Sequence, residues 1–339
     1  MLDTVSHNKT AAAAKAYVLR EGEGQSLLVA GQTIRVLAGT EETAGGFGAV
    51  VCEATYDRQP IPMHFHEREH DTWFCTRGRL QIWSDGQSRI LTDGDFAYVK
   101  PYGVHSYRSV APRTSFFGVV APGGWEGFFS DAGEEWTEPG LPEANRPFDF
   151  SRMGPAMGKY RIMRVPDAVY ADASNGDAVD RALPEAPASY VLQAGYGDRR
   201  RLNGHLSTLL LSRKISDGAV DMRTIEAGRG AAMPAIRHAR THVVLYLLSG
   251  ALTLTLTLDG ETHALNAGDC ANIPAGVAYA TEVTGGHARW ILSAAHDDGL
   301  EFWDALGEPS EQFVQSNHGD LAACKTAFAR LEGIDAALA

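Results

Sequence analysis

The sequence has little cysteine, and Cys52, Cys75, Cys270 and Cys324 lie far apart with no CxxC pair. That disfavours both a structural zinc site and a disulfide framework, and leaves the four as buried apolar residues. Basic charge is also scarce: Lys plus Arg is 30 against 42 for Asp plus Glu, a formal net charge of −12. Such a field repels polyanions, which argues against nucleic acid or an anionic membrane as the main partner. The longest basic run is Arg199-Arg200-Arg201, and no apolar run approaches the length of a membrane span. The N-terminus lacks a charged region followed by an apolar one, so residues 1–14 read as the leader of a soluble, cytoplasmic protein. The sequon at Asn8 would matter only in a secreted chain.

What is present is one unit used twice. A length of 339 residues suggests roughly two domains, and several landmarks recur in order about 173 residues apart. Tyr17-Val18-Leu19 returns as Tyr190-Val191-Leu192, Pro62 as Pro234, and Gly78 as Gly250. Asp85-Gly86 returns as Asp259-Gly260, Gly94-Asp95 as Gly268-Asp269, and Gly133-Glu134 as Gly307-Glu308. Leu252, Leu254, Leu256 and Leu258 alternate with threonine, the period of a half-buried strand, and Asp259-Gly260 then supplies a tight turn. Many short strands with Gly and Pro turns predict a barrel or jelly roll in each copy. Seven of the 15 prolines fall between the copies, in residues 134–187, which reads as a linker ordered in patches. After Asp320, a candidate N-cap, Leu321, Cys324, Phe328, Leu331 and Ile334 fall at helical spacing, predicting a terminal helix packed on a barrel.

Most of the chemistry lies in residues 62–78, PMHFHEREHDTWFCTRG. On an extended strand His64 and His66 point the same way, about 7 Å apart, with Phe65 on the other face. Two imidazoles on one wall invite a metal. Asp71, Trp73 and Cys75 share a face of the next strand, and His105 returns after the bend Pro101-Tyr102-Gly103 as a third imidazole. Trp73, Tyr107, Phe117 and Trp125 are candidates for the lining of an aromatic pocket suited to a planar substrate. Glu67, Arg68 and Glu69 read as a solvated hairpin tip.

In these residues the chain resembles the cupin superfamily, and more closely the bicupin quercetin 2,3-dioxygenase (flavonol 2,4-dioxygenase) family. That family's first motif has two histidines one residue apart, an acid after three or four more, and a glycine six residues further on. His64, His66, Asp71 and Gly78 occupy those places, with Asp71 where the family carries glutamate. The second motif corresponds to Gly94, Pro101-Tyr102-Gly103 and His105, and VVAPGGWEGFF carries the same likeness. The resemblance covers residues 15 to about 310.

The resemblance implies an all-β bicupin of two double-stranded β-helix (jelly-roll) barrels with a C-terminal helix. Residues 15–150 would form the metal-holding barrel, 151–186 a linker, 187–310 a degenerate barrel and 311–339 the helical end. It implies one divalent first-row metal, with Fe, Mn, Ni, Co and Cu all used by relatives, held by His64, His66, Asp71 and His105. It implies O2 as co-substrate, a small aromatic or enolic substrate such as a flavonol, and pairing into homodimers. Asp71 would also be the catalytic base, one methylene shorter than the family's glutamate. His70 is the alternative third ligand, but the spacing to Gly78 and strand parity favour Asp71. A non-oxidative cupin enzyme and a non-catalytic small-molecule-binding bicupin are the competing expectations. In the second copy Ile236, His238, Val243 and Tyr279 stand opposite His64, His66, Asp71 and His105, so a single candidate ligand survives there.

Overall fold

The alternation at Leu252, Leu254 and Leu256 becomes the far half of one strand, His242–Leu256, in the computed structural model. The model describes residues 15–55, 59–143, 146–174, 176, 178–256, 260–315 and 319–339. The three leucines are buried and Thr253 and Thr255 between them half-buried, as on a pleated wall with one face in a core. Leu258 and Asp259, the leader and its sequon lie outside the described residues. Gly250 bends the wall at a positive φ of 80°, and Gly78 does the same at 82° in the first copy. A Cβ on Gly78 would stand 2.7 Å from Thr114 Oγ1, so glycine is required at that bend.

The named strands pair antiparallel, in an 8-stranded and a 5-stranded sheet for the first copy and a 12-stranded sheet for the second. The curled sheets give two barrels, the all-β bicupin architecture. No helix among the described residues is long and apolar enough to cross a membrane. The sequence copies and the sheets do not share boundaries, because each copy gives its first strand to the other barrel. Tyr17–Leu19 pairs with Cys270–Ile273, and Tyr190–Leu192 pairs with Phe96–Val99. Boundaries at residues 15 and 187 therefore divide the repeat but cut across the sheets.

Between the barrels lies a shared core that includes Tyr17, Phe74, Phe96, Phe117, Tyr246 and Ile291. Phe117 stacks on Tyr246 with ring centroids 4.9 Å apart. This corrects the expectation that Phe117 lines a pocket. The strand Thr114–Ala121 is buried on both faces, and alternation turns Phe116 into the first barrel and Phe117 toward its neighbour. Phe117→Ala should accordingly cost about 3–5 kcal/mol of stability through the cavity it leaves. Urea denaturation would measure this, with metal content per folded chain unchanged.

Residues 151–186 do more than link the barrels. The helix Met153–Lys159 packs on the helix Gly127–Ala132, and the strand Met163–Arg164 then pairs with His64–Phe65, placing Arg164 opposite His64. The C-terminal segment repeats this design. Asp320 caps the helix Leu321–Phe328 by accepting from the Ala322 and Ala323 N–H groups. The strand Ala337–Leu338 then pairs with Ala232–Arg237, placing Leu338 opposite Ile236. The repeat is thus a barrel, a helical cap and a returning strand. Cys324 and Phe328 pack into the second barrel's core, but the helix ends at Phe328, so Leu331 and Ile334 approach that core from the turn beyond it.

Candidate metal centre

The strands His64–Phe65 and His105–Ser109 run antiparallel with His64 and His105 directly opposite. Opposed residues share a face, so both imidazoles enter the barrel; Phe65, on the other face, meets Tyr102 with ring centroids 6.0 Å apart. His66 completes the group. Nitrogens of the three rings lie within 4.8 Å of one another, and all three residues are buried. The His64 Nδ1 donates to the Pro62 carbonyl at 2.8 Å and the His105 Nδ1 to the Gly103 carbonyl at 2.9 Å. Each ring is thereby held with Nε2 available as the acceptor, the form a metal ligand needs. Burial, reinforced by His105 and His66, pushes the His64 pKa well below its ordinary value and keeps that ring neutral.

His66 has neither ring nitrogen in a hydrogen bond among the described residues, although it is buried. An orphaned buried imidazole is costly unless something fills its coordination. Three converging imidazoles, one of them making no hydrogen bond among the described residues, fit a divalent first-row metal. Asp71 is adjacent to this cluster but outside it: its Oδ2 lies 3.2 Å from His66 Nε2 and 3.1 Å from His105 Nε2. Burial opposes the Asp71 charge, yet the His66 and His105 rings outweigh it and hold the carboxyl below the usual carboxylate range. For His66 burial again opposes the charge, and Asp71 wins and raises the pKa.

The residues bracketing Asp71 divide by parity. Trp73 faces the cluster, with its ring centroid 5.4 Å from that of His105. His70 faces away, its Nδ1 hydrogen-bonded at 2.7 Å to the Tyr98 hydroxyl, so it takes no part in the three-imidazole cluster. A cavity of about 340 Å³ opens from the cluster, within the range of small-ligand sites, and Trp73, Tyr107 and Trp125 line it. Tyr107 donates its hydroxyl to Gln32 Oε1 at 2.8 Å. Trp125 meets the His66 ring edge-on at 5.1 Å, and its buried Nε1 has no hydrogen-bond partner among the described residues.

Sequence reasoning missed Phe116, Phe128 and Phe129, and also Met153, Met157 and Arg164 from the cap. Phe128 and Phe129 sit in the same GGWEGFF run as Trp125 and carried as much signal. The cap residues stood in a segment whose proline content marked it as a linker.

The second barrel preserves the framework without the ligands. Ile236 stands opposite Tyr279 in register as His64 stands opposite His105. Val243 occupies the place of Asp71 and is buried. His238 is satisfied by the Asp335 carbonyl through Nδ1 and by the Tyr279 hydroxyl, 3.2 Å from Nε2. It is a bonded core histidine, unlike His66.

The cupin domain family matches the chain twice, at residues 56–115 and 223–293, one match in each barrel. A quercetin 2,3-dioxygenase of Bacillus subtilis (strain 168) is 25% identical over 299 residues, covering 88% of both chains. A quercetin 2,3-dioxygenase of Aspergillus japonicus is 28% identical over 141 residues, covering 39% of each. Among solved structures, an oxalate decarboxylase variant of Bacillus subtilis superposes with a TM-score of 0.54 at 17% identity, covering 86% of this chain and 79% of that one. This last likeness concerns the fold alone. Fold and site together define a bicupin with a three-histidine centre in its first barrel, a metal-binding cupin enzyme. Within that class the chain is similar, at low identity, to quercetin 2,3-dioxygenases over most of its length.

Proposed function

We propose that the chain is a ring-cleaving dioxygenase that opens a flavonol-like or other enolic aromatic substrate with O2 as co-substrate. The observation that carries this reading is the meeting of three buried imidazoles and one carboxylate at the end of an aromatic cavity. His64, His66 and His105 would hold a divalent ion, with Fe, Mn, Ni, Co and Cu as candidates. Such an ion supplies a Lewis-acid position and, where redox-competent, a route for oxygen chemistry.

The chain's own residues do the rest. Asp71, whose Oδ2 lies beside His66 and His105 at the cluster, is placed to take the proton from the enolic or phenolic hydroxyl of the substrate. Trp73, Tyr107 and Phe116 wall the substrate, and the unpartnered Trp125 N–H donates to one of its oxygens. Met153, Met157 and Ile162 of the cap line the cavity with apolar surface, which strengthens each charge interaction inside. For a flavonol the balance is flavonol plus O2 giving a depside and carbon monoxide.

Because Asp71 reaches His66 and His105 without joining the cluster, a non-oxidative reaction on an enolic natural product is the second reading. An oxygen electrode with carbon monoxide detection separates the two, run with quercetin and simple enols after loading each metal in turn. The dioxygenase reading expects equal amounts of O2 consumed and flavonol lost. Substrate loss without O2 uptake supports the non-oxidative enzyme, and saturable binding without turnover a non-catalytic bicupin; either overturns the first reading.

A further inference from the structure

Arg164 is the sole Lys or Arg among the described residues that line the cavity, and Asp71 is the sole carboxylate. Its backbone pairs directly with His64, and opposed residues on antiparallel strands project from the same face. Arg164 is exposed, as is Phe150 of the same lining, so this side chain stands at the cavity mouth.

The other basic residues of the cap are occupied. Arg146 pairs with Glu134 and lies over the Trp136 ring, while Arg152 donates to the Gly133 and Ser130 carbonyls. Lys159 pairs with Asp131, and Arg161 with Glu67 at 3.5 Å. The Arg164 side chain has no ion pair or hydrogen bond among the described residues. The second barrel offers an internal comparison. There the residue opposite Ile236 is Leu338, where the first barrel has Arg164 opposite His64. The fold therefore accepts an apolar residue at this position, and the cation occurs only in the barrel that keeps the histidine cluster.

We infer that Arg164 is a specificity residue: it selects aromatic substrates that carry an acidic group, a carboxylate or ionised phenol, in addition to the enolic hydroxyl. The inference rests on the reading of this cavity as the substrate site. Guanidinium pairs with such oxygens through charge-assisted hydrogen bonds, weakened here by exposure.

The test is equilibrium binding to the full-length protein loaded with Zn, which needs no turnover, read by quenching of tryptophan fluorescence. The probes are 3-hydroxyflavone and its 4′- and 7-carboxylated derivatives. The wild type should bind at least one acid about fivefold more tightly than the parent, with the preference shrinking as salt rises. Arg164→Gln should weaken binding of that acid about tenfold and of the parent less than about twofold, while Arg164→Lys retains most of the preference. Arg161→Gln, on the same cap, should change neither. If Arg164→Gln weakens parent and acids alike, or leaves the acids unaffected, the specificity role is wrong while the cavity remains a flavonol site. If the parent itself does not bind, the flavonol reading fails and the inference fails with it.

Discussion

The His64→Ala/His66→Ala double variant should retain less than about a tenth of the wild-type metal and lose at least about a thousandfold in turnover. Two of three converging imidazoles are removed, and Asp71 cannot replace them because it stands beside the cluster and faces His66 and His105. The informative control is His238→Ala. His238 occupies the same motif position in the second barrel, but its nitrogens are taken by Asp335 and Tyr279. Its removal should lower stability and leave metal content per folded chain unchanged. Equal metal loss in both variants would mean that the effect is unfolding; retained turnover in the double variant would remove the metal mechanism altogether. Elemental analysis and circular dichroism on the same samples separate these outcomes.

Asp71 gives the second large effect, and its two substitutions should diverge. Asp71→Asn leaves three imidazoles in place, so metal should stay bound while turnover falls about a hundredfold to ten-thousandfold through loss of the base. Asp71→Glu adds a methylene, about 1.5 Å of reach. That moves the carboxylate from the edge of the cluster toward its centre, so metal should resist a chelator better, by roughly tenfold. Chelator competition and steady-state rates on both variants read the two effects separately. If Asp71→Asn loses its metal, Asp71 is a ligand whose removal opens the site, and its role as a base without ligation is wrong.

The three-imidazole cluster was legible because motif spacing and strand parity agree there. His64 and His66 alternate around Phe65, and His105 follows a Pro/Gly bend that returns the chain to the same wall. Parity also separated Asp71 from His70. It failed at Phe116 and Phe117, since a strand buried on both faces shows no polar alternation, and only the neighbouring barrel decides which face is which. The exchanged first strands were invisible for a related reason: pairing of Tyr17–Leu19 with Cys270–Ile273 joins distant segments of sequence and leaves no local mark. The cap was misread because its prolines and acids outweighed Met153, Met157 and Ile162, which line the cavity. The pairing of Arg164 with His64, repeated as Leu338 with Ile236, shows that the repeat extends through the segment taken for a linker and on to the C-terminal strand.

The central claim is a single metal centre, built by the first barrel and absent from the second. Elemental analysis of purified full-length protein, loaded with a divalent metal and then desalted, tests it most directly. One ion per chain is the predicted result; two per chain, or less than about a tenth of one, would contradict a lone three-histidine site.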